Sequence, residues 1–261
     1  MQLVDTHIQT DVLSLPDLEL LAACGVTALV ADATGGQYRA TSAAAALQYY
    51  DTTLEGETRR LAQFFIDVYA FVGINMFTVP GDYEKVLEAL PGYLRRDKVV
   101  GVGEVGLDDR SKTCPDLGRQ EEILKAELGL AAEFDKAIVM HLPPEDRMKW
   151  LERYFRLIEE AKMPPERVVI LHADSAVIKT ITGFGCNAAI SILRGITPED
   201  CAGMVAESGT ERLLVGSDAR LHIRSDAFAV PRAAVHMRKI GLSEADISRV
   251  VYDNPKKVFR F

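Results

Sequence analysis

The chain has 261 residues, with 30 Lys and Arg against 38 Asp and Glu, a formal net charge of −8, and 48% hydrophobic residues. That is the composition of a folded globular protein, and it excludes disordered chains, collagen and small disulfide scaffolds. The acidic balance gives no sign of the basic face that nucleic-acid binders present. Apolar runs of about ten residues are too short to span a bilayer. The opening MQLVDTHIQTD lacks the basic and apolar regions of a signal peptide, so a cytoplasmic protein with no membrane partner is expected. Cys24, Cys114, Cys186 and Cys201 are scattered without any Cys-x-x-Cys pair, so free thiols are expected, with Cys24 and Cys201 buried in helical patterns.

Short apolar or β-branched runs alternate with longer amphipathic segments along the whole chain. Gln2–His7 reads as a strand, followed by a helix over Leu15–Ala23 with Pro16 in its first turn. Val26–Ala33 is a strand, and residues 41–67 read as one long helical region. The remaining strands are expected at Val68–Asn75, Val99–Glu104, Ala137–His141, Arg167–His172, Cys186–Ile190 and Arg212–Ser217. Helices are expected over Asp82–Tyr93, Leu117–Glu133, Glu145–Ala161, Ser175–Thr182, Pro198–Glu207 and Ser225–Lys239, with a terminal one at Glu244–Val251. Eight strands each followed by a helix, in this length, predict a (β/α)₈ TIM barrel with a terminal extra helix. Nothing in the composition divides the chain, so residues 1–261 are read as a single domain.

In such a barrel, chemistry sits at the carboxyl ends of the strands. The first strand ends in Asp5-Thr6-His7 and the fourth in Glu104, within Gly103-Glu104-Val105-Gly106-Leu107-Asp108. The fifth ends in His141, the sixth in His172, and Asp218 follows the eighth. Imidazoles and carboxylates aimed from several rigid strands at one rim suit a divalent metal such as zinc, manganese or iron. A lone His after an apolar run is more often a satisfied polar residue, but five coincidences on five strands favour a metal site. His236 falls within a helix and is read as packing or surface; His222 is left between the mouth and a solvated loop.

The order Asp-Thr-His, Gly-Glu-Val-Gly-Leu-Asp, two strand-ending histidines and Gly-Ser-Asp-Ala resembles the TatD family of metal-dependent hydrolases, among the amidohydrolase-like barrels. The resemblance covers essentially the whole chain, down to Asn254-Pro255 and Phe259. It implies a metal-assisted phosphoesterase or nuclease-type hydrolase. Carried over by position, it implies a first metal on His7, Glu104 and Asp218, and a second on Glu104, His141 and His172. Gln9 stands where the family has a second His, and a neutral amide oxygen is the weaker ligand, so either one or two ions fit this reading.

Asp218 is the candidate general base and, with Glu104, the candidate catalytic residue. Arg39, in a glycine-bearing loop, and Arg220 and Arg224, after the last strand, are the candidate substrate-binding cations. The expected function is hydrolysis of a phosphoester on a small anionic metabolite, with zinc favoured and Mn, Mg or Fe as other ions. DNA is disfavoured as a substrate because no basic, aromatic-rich strand path is evident. Hydrolysis of a cyclic amide or lactone, or metal or ligand binding without turnover, are the alternatives.

Overall fold

Alternation sorts each strand's side chains into two layers. Along β1 (Leu3–Ile8), β2 (Val26–Asp32), β3 (Asp67–Val72) and β4 (Val99–Gly106), then β5 (Ala137–His141), β6 (Val168–Ile170), β7 (Asn187–Ser191) and β8 (Leu213–Gly216), neighbours in sequence are parallel neighbours in one sheet. The computed structural model from which this is read describes residues 1–34, 40–193, 195–220 and 226–261. The sheet curls until β8 meets β1. Ile8 bridges Ala219, the Gln9 N–H donates to Ala219 O at 3.0 Å, and the Asp218 N–H donates to His7 O at 2.8 Å. Gly216 makes this seam close, since a Cβ there would lie 3.0 Å from both Cβ and N of His7. The expected (β/α)₈ barrel is what the chain forms.

One set of strand residues, including Val4, Ala28, Val30, Phe71, Ala137, Val139, Val169 and Leu214, fills the barrel. The other set packs outward against the helices. Helices α1 (Leu15–Ala23), α2 (Ala43–Asp51), α3 (Thr58–Ala62) and α4 (Glu84–Leu94) follow the first three strands, and α5 (Leu117–Glu133), α6 (Arg147–Glu160) and α7 (Ile178–Phe184) the next three. Next come α8 (Pro198–Ser208), α9 (Ala229–Lys239), α10 (Glu244–Ser248) and α11 (Asn254–Phe259). Capping boxes start α1 (Ser14 with Asp17) and α8 (Thr197 with Asp200), each with Pro in the first turn. Among the described residues, no helix is long and apolar enough to cross a membrane.

Three expectations need correction. The helical region read over 41–67 spans 43–62, with a π-helical stretch at Thr52–Glu57. It ends because the backbone turns left-handed at Phe65 (φ 59°) and Ile66 is buried, which starts β3 at Asp67. The helix expected at Glu244–Val251 is α10, which passes through a π-helical stretch at Arg249–Asp253 into α11, where Val258 and Phe259 join the apolar cluster inside the barrel. All four cysteines are free thiols, but Cys24 is exposed where burial was expected; it caps the end of α1, where the chain turns back toward β2.

Candidate metal centre

The inner row of β5, Ala137 and Val139, runs on to His141, so alternation alone turns this imidazole into the mouth. His172, two residues after β6, and Asp218, two after β8, both have left-handed backbones, with φ 58° and 50°. Positive φ at non-glycine residues is uncommon, and the surrounding contacts hold it here. Arg147, which opens α6, donates to His172 O at 2.7 Å. Asp5 Oδ1 accepts from the N–H groups of His7 (3.2 Å) and Ser217 (2.9 Å), which ties the ends of β1 and β8 together.

Glu104 lies at the centre. Its Oε1 is 3.1 Å from His141 Nδ1 and 3.3 Å from His172 Nε2. Its Oε2 accepts from Asn75 Nδ2 at 3.3 Å and is 4.0 Å from His7 Nε2. Asp218 faces His7 through Oδ1 and His172 through Oδ2, each at 3.7 Å from Nδ1, and it is ion-paired with Arg220. The far nitrogens of the two middle histidines are also engaged. His141 Nε2 is 3.3 Å from Asp108 Oδ2, and His172 Nδ1 is 2.9 Å from Ser191 Oγ. A metal-binding His commonly has its second nitrogen fixed in this way by a carboxylate or hydroxyl partner, which sets tautomer and ring orientation. Phe77 meets the His141 ring edge-on at 5.3 Å.

The charges follow from these contacts. Burial alone would raise Glu104, but the His141 and His172 hydrogen bonds and the nearby His7 outweigh it and hold the carboxyl well below its usual range. Burial pushes His172 down to about 4, against the hydrogen bond to Glu104, so it is neutral near pH 7 with a lone pair to offer. Burial also opposes charge on His141, but its bonds to Asp108 and Glu104 prevail and raise it. Arg220 is mostly buried; burial disfavours its charge, and the fields of Asp218, Glu104 and Asp32 restore it.

Glu104, His141 and His172 offer ligand atoms within 4.8 Å of one another, and so do His7, Asp32 and Glu104. His7 Nδ1 and Asp218 Oδ2, in this cluster, are buried with no hydrogen-bond partner, and so is Gln9 Oε1. Buried lone pairs without partners are costly, and a cation would satisfy them. Nitrogen and carboxylate donors in this mixture fit a divalent metal.

His7, Glu104, His141, His172 and Asp218 are thus brought to one place, with Arg220 beside Asp218. Arg39, Arg224 and His222 lie outside the described residues. His236 is on α9, away from this cluster. Asp32, Asn75, Ser191 and the clamp made by Asp5 are not among the candidates the sequence offers above. Asp32 had a signal, because it continues the inner alternation Ala28, Val30, Asp32. Asn75 had one too, as the polar residue closing the strand expected at Val68–Asn75, although β3 itself ends at Val72.

Barrel and donor set together fit a metal-dependent hydrolase. Residues 4–260 match the family model described as TatD related DNase, and the chain belongs to that family. It is 24% identical, over 99% of its length and 100% of the relative, to an uncharacterized metal-dependent hydrolase of Methanocaldococcus jannaschii. Its fold is shared by a TatD-like protein of Archaeoglobus fulgidus, with a TM-score of 0.79, 23% identity, and coverage of 99% of this chain and 100% of that one. It is also shared by a phosphotriesterase homology protein of Escherichia coli whose structure holds phosphate in its active site, with a TM-score of 0.73, 14% identity, and coverage of 99% and 98%.

Proposed function

We propose that this protein hydrolyses a phosphoester bond of a small anionic metabolite, with residues 1–261 acting as one domain in the cytoplasm. The observation that carries the reading is the placement of Glu104, with Oε1 toward His141 and His172 and Oε2 toward His7. A single carboxylate so placed can serve two ions. His7, Glu104 and Asp218 would hold one, and Glu104, His141 and His172 the other, with Zn favoured and Mn, Mg or Fe as the other candidates. A bound divalent ion would supply Lewis acidity toward the phosphoryl oxygen and would acidify the attacking water.

The protein's own groups do the rest. Asp218 Oδ2, buried and without a hydrogen-bond partner, takes the proton of the attacking water as the P–O bond to the leaving alcohol breaks. That proton then passes to the leaving alkoxide, which departs as the alcohol. Arg220, beside Asp218, binds an anionic group of the substrate, together with Arg39 and Arg224. The phosphate held by the E. coli structural neighbour supports a phosphoryl substrate. The net charge of −8 supports a small molecule over DNA.

The test is hydrolysis of small phosphomonoesters and phosphodiesters, lactones, cyclic amides and DNA, with protein stripped by chelator and reloaded with Zn²⁺ or Mn²⁺. Metal-restored turnover of the small phosphoesters is expected. Turnover confined to lactones or amides, faster cleavage of DNA, or bound metal with no turnover on any of them would each overturn the reading.

A further inference from the structure

The ligand set carried over from the family makes no use of β2. Asp32 ends its inner row, is 1% exposed, and offers an oxygen within 4.8 Å of ligand atoms of His7 and Glu104. Its Oδ1 is held by the N–H and hydroxyl of Thr34, at 2.9 and 2.6 Å. Its Oδ2 accepts from Gln9 Nε2 at 3.2 Å. A carboxylate can only accept at this contact, so the amide must turn its nitrogen to Asp32. Gln9 Oε1 is thereby left buried at 2% exposure with no partner. Gln9 and Asp32 therefore form a unit, in which the amide clamps the carboxylate and presents an unsatisfied oxygen of its own.

We infer that Asp32 is a metal ligand, and that His7, Asp32 and Glu104, with Gln9 Oε1 beside them, form an oxygen-rich cation subsite that prefers a hard ion such as Mn²⁺ to Zn²⁺. The inference rests on the metal-dependent reading above and specifies one half of the centre. Its basis is the donor chemistry. One imidazole among carboxylate and amide oxygens suits Mn²⁺ or Mg²⁺, whereas two imidazoles, as in His141 and His172, suit Zn²⁺. The added negative charge of Asp32 offsets the weakness of an amide oxygen where the family places an imidazole. The two halves of the centre then select different ions.

The experiment uses the full chain, stripped by chelator. Mn²⁺ is titrated in by calorimetry and electron paramagnetic resonance, and Zn²⁺ is followed by competition. Asp32→Asn is expected to weaken Mn²⁺ at one site by roughly tenfold or more, the scale on which even outer-shell partners act, and to leave Zn²⁺ at the other site. Gln9→His is expected to shift the preference at that same site toward Zn²⁺ by roughly tenfold or more. His141→Ala should remove the Zn²⁺ site and spare the Mn²⁺ site. Wild-type Mn²⁺ affinity in Asp32→Asn overturns the inference while leaving the hydrolase reading intact. If Asp32→Asn does not fold, unchanged selectivity in Gln9→His overturns it instead. A wild-type protein that takes up neither ion sinks both the inference and the reading.

Discussion

Asp108 Oδ2 sits 3.3 Å from Nε2 of His141, the nitrogen turned away from Glu104. The Asp108 carboxylate is itself fully buried and ion-paired with Arg110. Burial opposes its charge, but hydrogen bonds to His141 and Arg110 hold it well below the usual carboxylate range. The two carboxylates thus grip one imidazole from both sides and fix which nitrogen faces Glu104.

Asp108→Asn should therefore loosen the site without removing any atom proposed to touch the metal. An amide cannot match the charge of the carboxylate, and such outer-shell changes typically cost 10–100-fold in metal affinity or activity, as order-of-magnitude values. Metal content after dialysis, read beside the Kd for Zn²⁺, checks this. Wild-type affinity in the variant would reduce Asp108 to a partner of Arg110 only.

Asp218→Asn separates proton transfer from metal holding. If Asp218 is the base, turnover should fall by roughly 10²–10⁴-fold, the usual worth of a positioned general base. Metal at the His141–His172 side should remain, since neither histidine is altered. Metal analysis and kcat measured on one preparation decide this. A variant that loses all its metal would show Asp218 to be chiefly a ligand.

Gly216→Ala tests the seam of the barrel. The added Cβ would press on the backbone nitrogen and Cβ of His7 at 3.0 Å, and backbone cannot swing aside as a flexible side-chain tip can. Overpacking of this kind costs about 1–3 kcal/mol. The denaturation midpoint should fall and metal binding should weaken, because His7 itself is pushed. An unchanged midpoint would mean that the β8 to β1 seam yields easily.

Glu127 offers a stability prediction at a residue outside the proposed ligand set. It is buried on α5, its Oε1 accepts from the Ile74 N–H at 2.6 Å, and burial raises its pKa from the ordinary 4.5 to about 8 despite that bond. Below pH 4.5 the group is protonated in both folded and unfolded chains and makes no difference between them. Between about 4.5 and 8 the unfolded chain ionises while the folded one does not. Stability from this group is therefore lost as pH rises through that window, by roughly 1.4 kcal/mol per unit, and the loss is complete above it. Glu127→Gln keeps an acceptor for Ile74 and removes the titration, so it should melt higher than wild type at pH 8 and nearly equally at pH 4.5. A wild-type slope of Tm against pH in the variant would contradict this.

Much of this protein was legible before its structure. Periodicity located the eight strand and helix units, and polar residues ending apolar strands singled out His7, Glu104, His141, His172 and Asp218. These signals are local: a strand's period of two and the chemistry of its last residue are both written within a few positions. Local signals did not show where the helical region after β2 ends, because packing around Ile66 decides that. Nor did they assign the partners of each histidine. Asp108 comes to His141 across 33 residues, Ser191 to His172 across 19, and Asp32 to Gln9 across 23. Such pairs depend on the register between neighbouring strands and on the left-handed backbones at His172 and Asp218. The barrel and the kinds of donor at its mouth are written along the chain, because short-range patterns encode both. Only closure of the sheet decided which donor faces which, because it sets the angles and separations between strand ends that are remote along the chain.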